Sequence, residues 1–446
     1  MSTIEKHDMT QGKILLPLVS FTIPLVLGNL FQLTYNAADS VIVGKYVGEQ
    51  ALAAVGTSTP IMNIAILLIS GMCMGASVLM SSQYGAKDYD TLSRQISTTM
   101  LAGCGFSVVF SLLMLLLANP VLRLIRVPET AIPEAAAYLR IIFMGLIFTF
   151  MYNFLANTMR ALGDSKTPLY FLVTSAFLNI FGDLFFVVVL RWGVAGSAIA
   201  TVCSEGLCCL LCGIYIKKKI PLLCLGKKWW VFDKSLLGKT VSYGSTSAMQ
   251  QVCLQLGKLI IQSVVNTQGA AVMAAFTAVN RVDDFAYTPQ QNIGHAMTTF
   301  LAQNKGAGHK ERMKKGFQTG LLIELVYSIG LFCVIWGLAP QIMTLFAEDG
   351  DAQVVSLGIS YLHLISWMYI LPGLTNGVQG FFRGIGDLKV TLYSTFMNMF
   401  GRVVAVFVMI RLLQMEFASL AWANMVGWIV MLLFEVPLLV KSMRNG

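Results

Sequence analysis

Apolar stretches of membrane-spanning length follow one another along the whole chain. The hydrocarbon core of a bilayer is about 30 Å thick and takes about 20 predominantly apolar residues as a helix. Residues 14–43, 51–81, 95–118, 134–158, 168–190, 194–216, 238–265, 271–302, 315–338, 354–381, 390–412 and 417–440 meet that measure. In hydrocarbon every backbone N–H and C=O must be paired internally, so runs of this length fold as helices. The sequence therefore predicts an all-α integral membrane protein with twelve transmembrane helices. Charged residues are only 12% of the 446 and mean hydropathy is +0.71, too little charge to keep so long a chain in solution.

The second half repeats the first. Arg160-Ala161-Leu162-Gly163-Asp164-Ser165-Lys166 returns as Arg383-Gly384-Ile385-Gly386-Asp387-Leu388-Lys389, and Gln83-Tyr84-Gly85-Ala86 returns as Gln303-Asn304-Lys305-Gly306-Ala307. Gly48–Val55 and Gly269–Phe276 share paired alanines at the same offset. A membrane-embedded tandem repeat of helical units is the usual build of a secondary transporter. The repeat predicts an amino-terminal six-helix lobe at 1–216, a basic linker at 217–237 and a carboxy-terminal six-helix lobe at 238–446. By pattern, Leu178–Asp183 pairs with Met397–Arg402, so the copy carries a cation where the first half carries an acid. Span 7 has no carboxylate between Gln255 and Val265 to match the acid of span 1. A cation held by carboxylates would therefore sit in the amino-terminal half.

The net charge of +9 is a topology signal. When connections are assigned alternately to two sides, the side with both termini carries twenty-two Lys and Arg, among them Lys217, Lys218, Lys219, Lys227 and Lys228, and the other carries six, Lys45, Arg123, Arg126, Arg140, Arg191 and Arg411. The positive-inside rule makes the first side cytoplasmic. Trp229 and Trp230, beside those lysines, read as an interfacial anchor in contact with lipid headgroups. No soluble domain presents a basic, aromatic-studded surface, so a nucleic-acid partner is not expected. Met1–Lys13 is short and polar with no cleavage site after the first apolar run, so span 1 is expected to stay in place.

Several chemistries lack their local signatures. H-E-x-x-H, G-x-S-x-G and G-x-x-x-x-G-K-[ST] are absent, so neither hydrolysis nor nucleotide-driven pumping is indicated, and the chain reads as no enzyme. Cys203, Cys208, Cys209 and Cys212 include a C-x-x-C, but all lie in span 6 without a histidine and read as small hydrophobes, so neither cofactor nor structural metal is expected.

Polar groups inside the spans carry the remaining information. Gln32, Tyr35, Asn36 and Asp39 share one face of span 1, Asn179 and Asp183 one face of span 5, Asn153 and Asn157 one face of span 4, and Thr201 and Glu205 one face of span 6. Intramembrane carboxylates are costly and mark ion or substrate paths. Asn, Gln and Thr also serve as plain interhelical hydrogen bonds, which is the competing reading for Asn153 and Asn157. Glu205 and Glu435 lie nearer span ends, where a carboxylate can reach water. Asp283 and Asp284, with Arg281 and Lys258 nearby, read equally well as an internal ion-pair group.

Together the twelve spans, the Arg-x-x-Gly-Asp sequence after spans 4 and 10, the Gln-(x)-x-Gly-Ala sequence after spans 2 and 8, and Tyr35-Asn36-Ala37-Ala38-Asp39 resemble the multidrug and toxic compound extrusion (MATE) transporters over essentially the whole chain. The resemblance implies two pseudo-symmetric six-helix lobes around a central cleft that opens alternately to either side, working as a monomer. It also implies a coupling-cation site, for Na+ or H+, formed by Asp39, Asn179, Asp183 and Thr201. A branch of the family uses a span-7 glutamate, where this chain has Gln250, Gln251 and Gln255, and that role is not carried over.

Two carboxylates in a poorly hydrated pocket cannot both stay charged at low cost, and either a proton or Na+ relieves that cost. Pro24 lacks a backbone donor and should weaken or bend span 1. Tyr35, Met62, Asn63, Asn153 and Asn157, with Gln32 and Asn36, are expected to line the substrate cleft. Lipophilic organic cations are the expected cargo, held by soft methionine and aromatic surface. The rival reading is a flippase or exporter of a lipid or lipid-linked substrate. The short loops read as prokaryotic, in a plasma membrane.

Overall fold

The computed structural model describes residues 8–125, 127–129, 131–220, 230–346, 352–415, 417 and 419–445; at residues 36–38, 40, 49–53, 346, 411, 419 and 445 it describes the backbone alone. Lys6, Arg126, Lys227, Lys228, Trp229 and the side chains of Asn36 and Arg411 thus lie outside the described residues. The first half forms α1 (Leu15–Tyr46), α2 (Glu49–Gly85), α3 (Tyr89–Leu124), α4 (Ile132–Met144), α5 (Leu146–Ala161), α6 (Lys166–Asp183) and α7 (Gly193–Lys219). The second forms α8 (Lys234–Val265), α9 (Ala270–Gly306), α10 (Lys310–Phe346), α11 (Ala352–Ser366), α12 (Ile370–Gly384), α13 (Leu388–Val406) and α14 (Ser419–Asn445).

Each of the twelve expected spans falls on a helix or on a nearly continuous helical pair. Span 4 is the pair α4–α5, bent by 47°, and span 10 is α11–α12 joined by a 3-10 turn at Trp367–Tyr369. Among the described residues, nine spans are long and apolar enough to cross a membrane, ten with the bent pair. The helices that fall short are α8 and α9. Their serine, threonine, glutamine and acidic residues dilute the apolar surface, as expected of helices that turn polar groups toward the protein interior. Elsewhere large apolar side chains such as Leu116, Phe181 and Leu433 face outward, as in a chain solvated by lipid.

Two compact units divide the chain: residues 1–8 with 23–248, and residues 9–22 with 249–446. In the first, α2 packs on α5, α3 on α4 and α6 on α7; in the second, the corresponding pairs α9 on α12, α10 on α11 and α13 on α14 recur. One core gathers Ile69, Met80, Phe143, Phe150 and Phe154, the other Val279, Met343, Tyr361, Leu362 and Tyr369. Helix α1 runs unbroken from Leu15 to Tyr46 with Pro24 inside it. Cys208 and Cys212 are fully buried in the first unit and pack as hydrophobes.

The repeated Arg-x-x-Gly-Asp sequence is a helix-joining device. Gly163 and Gly386 hold φ of +89° and +82°, a region open to glycine and strained for other residues. Asp164 then caps α6: its carboxylate accepts from the backbone N–H of Lys166 at 3.1 Å and Thr167 at 3.0 Å, and from the Thr167 hydroxyl at 2.6 Å. Asp164→Ala is expected to lose about 1 kcal/mol of stability, read as a lower Tm in detergent; an unchanged Tm would refute the capping role.

The structure also corrects the internal alignment. A π-helical turn follows α6 at Leu184–Val189 and another follows α13 at Phe407–Leu412. Their spacing equals that between Gly163 and Gly386, so the counterpart of Asp183 is Val406 and that of Asn179 is Arg402. Pairing Asp183 with Arg402 by sequence pattern slipped by one helical turn, which preserves the face and shifts the depth.

Candidate functional site

Three polar ladders converge in the first unit. Helix α7 carries Ser197, Thr201 and Glu205 at successive i, i+4 positions, each step advancing about 6 Å along one face. Helix α6 answers with Ser175, Asn179 and Asp183, and α1 with Gln32, Tyr35 and Asp39. Apart from Thr34, Asn36 and Ser204 the intervening positions are apolar or small, so the periodicity turns these groups inward.

The ladders meet in tiers. In the first, Ser197 Oγ donates to Asp39 Oδ1 at 2.8 Å, and Asp183 lies beside Asp39. Asp183 is fully buried, and neither of its oxygens receives a hydrogen bond. In the second tier Asn179, 3% exposed, donates from Nδ2 to Thr201 Oγ1 at 3.2 Å, while its Oδ1 receives no donor. In the third, the Thr149 hydroxyl of α5 donates to Glu205 Oε2. The four residues expected to form the cation site are thus neighbours on three helices.

A cavity of about 300 Å³ opens beside the lower tiers. Gln32, Tyr35, Tyr152, Asn153, Arg160 and Glu205 are among its lining residues, as are Asn179 and Thr201. Of the expected cleft residues, Gln32, Tyr35 and Asn153 line it, whereas Met62, Asn63 and Asn157 do not. Met62 packs into the core with its sulfur facing the Tyr138 hydroxyl at 3.8 Å. Asn157 gives its amide N–H to the Asn153 carbonyl at 2.8 Å, one turn back on its own helix, and Asn63 is half-buried and not among the residues lining this cavity.

Sequence reasoning missed two members, Ser197 and Arg160, and left the role of a third, Glu205, open. Ser197 sits four residues before Thr201, a signal that the i, i+4 rule could have caught. Glu205, paired with Thr201 by spacing but also read as a span-end acid, extends the ladder and lines the cavity. Arg160 was counted with the loop charges, although it follows Asn153 by seven residues on the same face of α5 and reaches the cavity.

Asp283 and Asp284 separate in the structure. Asp284 pairs with Lys258 at 3.2 Å on an exposed surface. Asp283 forms no such pair: it is buried and accepts from Tyr369 Oη at 2.6 Å and Tyr361 Oη at 3.0 Å.

With this geometry in place, comparison with known proteins is decisive. The MatE family profile matches residues 24–185 and again 247–410, one match in each half. The chain belongs to the MatE family. It is 32% identical over 392 residues to the probable multidrug resistance protein YpnP of Bacillus subtilis, covering 87% of this chain and 86% of that protein. It is 23% identical to the probable multidrug resistance protein NorM of Thermotoga maritima over 93% of this chain and 89% of that one. A solved outward-facing multidrug resistance MATE family transporter of the MOP superfamily superposes with a TM-score of 0.92 at 21% identity, covering 100% and 99% of the two chains. The MatE chain is thus a multi-span membrane protein of a family of multidrug efflux transporters that draw on ion gradients.

Proposed function

We propose that the MatE chain is a secondary active antiporter that exports lipophilic, mainly cationic organic compounds in exchange for Na+ or H+ by alternating access. One observation carries the coupling site: Asp183 is fully buried with no donor on either oxygen, and its neighbouring acid is another carboxylate, Asp39. Such a pair calls for one added positive charge. The oxygens of Asp39, Asp183, Asn179 and Thr201 suit a hard cation, and the same groups hold a proton equally well. Substrate occupies the cavity lined by Gln32, Tyr35, Asn153 and Glu205, one turn below the paired acids, so filling one site alters the packing of the other. The lobes at 1–216 and 238–446 carry out the exchange as a monomer, joined by 217–237, with both termini in the cytoplasm and the protein in the plasma membrane. Pro24 lets α1 change shape with the occupancy of Asp39.

The test is transport of ethidium by reconstituted protein under a sodium gradient alone and a proton gradient alone. One gradient is expected to drive accumulation against concentration and the other to fail, which names the ion. Failure of both with folded protein would overturn the reading and favour a lipid substrate.

A further inference from the structure

The repeated Arg-x-x-Gly-Asp sequence begins with an arginine in each half, and the two arginines meet different surroundings. Arg383 of α12 is 6% exposed and is satisfied inside its own unit. Its Nη2 donates to Gln379 Oε1 at 2.8 Å, its Nη1 lies 3.2 Å from His295 Nδ1, and Glu435 stands nearby as counter-charge. Arg160 of α5 has no such company. Among the described residues it finds neither a hydrogen-bond acceptor nor an ion-pair partner, and its Nε is buried and unpaired.

The sequence accounts for the difference. The spacing that relates Gly163 to Gly386 and Arg160 to Arg383 also relates Ala156 to Gln379 and Cys212 to Glu435. Where the second half supplies an amide oxygen one turn back on the arginine's own helix and a carboxylate on α14, the first half has a methyl group and a thiol. Ala156 lines the cavity beside Arg160, and Arg160 and Cys212 both lie near Tyr152. The exchange removes the acceptors together with the side-chain bulk that occupies the matching place in the second unit.

A guanidinium stays charged, offers five donors and accepts nothing. Left unpaired in a cavity walled by apolar helices it is costly, and a carboxylate, sulfonate or phosphate group removes that cost through parallel N–H···O bonds. Arg160 and Glu205 are the charged side chains among the described residues that line this cavity. Thr149, which holds Glu205, and Arg160 stand about 16 Å apart along the axis of α5. The acid and the guanidinium therefore address separate ends of one occupant.

We propose that Arg160 is a specificity-determining residue that pairs with an anionic oxygen group on the exported compound. The cavity then prefers lipophilic compounds that carry a cationic and an anionic group over those that carry the cation alone. This rests on the reading of the cavity as the substrate site.

The experiment uses the full-length protein in detergent and two dyes, a rhodamine with a free carboxylate and its methyl ester, which share a cationic ring system and differ in the anion. Equilibrium binding is followed by fluorescence anisotropy. The wild type is expected to bind the free acid at least about tenfold more tightly than the ester. Arg160→Gln removes that preference by weakening the acid and leaves the ester within about twofold, and Arg160→Lys, which keeps the charge without the fork, restores part of it. Ala156→Gln gives Arg160 the internal acceptor that Arg383 has. It is expected to weaken the acid more than the ester with the arginine intact, and it carries the test if Arg160→Gln does not fold. Equal binding of the two dyes by the wild type, or an equal loss of both in Arg160→Gln, would overturn the role of Arg160 while leaving the cavity as the substrate site. Binding of neither dye would remove both readings together.

Discussion

Asp183→Asn is expected to collapse the concentration gradient of exported compound that the protein can sustain to about one. Each coupling cation falling through a driving force equivalent to 100 mV supplies about 2.3 kcal/mol, and a tenfold concentration ratio corresponds to about 1.4 kcal/mol. The wild type can therefore hold roughly a 50-fold ratio per coupled charge at that driving force. Asparagine keeps the shape of the side chain, but its amide nitrogen donates to Asp39. The pair is then satisfied within the protein and no longer needs a cation. Asp39→Asn is expected to do the same from the other side, and the double variant to be no worse than either single one, because the two acids act as a unit. The measurement is steady-state accumulation in proteoliposomes, alongside equilibrium binding of the fluorescent substrate, which all three variants should retain. A variant at Asp183 that keeps more than half of the wild-type gradient would remove the coupling role from this pair.

How much of this was legible depends on distance along the chain. The spans and the stripes on α1, α6 and α7 could be read because a polar residue recurring every four positions stands out against an apolar background, and Asn179, Asp183 and Thr201 are indeed neighbours in space. Met62 and Asn63 had no such stripe behind them, and the cavity does not include them. The Gly163 and Gly386 turns were visible as a repeat, while their use as a glycine-dependent bend with an aspartate cap at Asp164 became clear from φ and hydrogen bonds. Glu324 gave no local signal at all. It is buried in α10, and a single acid in an apolar run has no periodicity to mark it. The bend between α4 and α5 and the paired π-helical turns were hidden for the same reason, since a change of hydrogen-bond register inside a helix leaves the apolar pattern nearly unchanged.

The second large effect is expected at a position with no side chain. Gly71 and Gly75, one turn apart on α2, lie against Tyr243, Gly244 and Ala248 of α8 within the first unit. Close approach of this kind, with small residues spaced by four on both helices, lets backbones touch and replaces the hydrophobic drive that lipid does not supply. A methyl group at Gly71 would stand 2.5 Å from Ala248 Cα, and one at Gly75 would collide with the Tyr243 carbonyl. The obstacle in each case is backbone, so no rotamer change relieves it and the helices must separate along their length. Gly75→Ala is therefore expected to cost about 1–3 kcal/mol, and Gly75→Leu more. Gly28→Ala is the control, because its methyl would meet only the flexible ends of Leu172 at 3.3 Å and Leu169 at 3.7 Å. It should melt within a degree or so of the wild type. Thermal melting of the purified proteins separates the two cases, and a Gly75→Ala protein as stable as Gly28→Ala would show that α2 and α8 do not need to approach this closely for the unit to hold together.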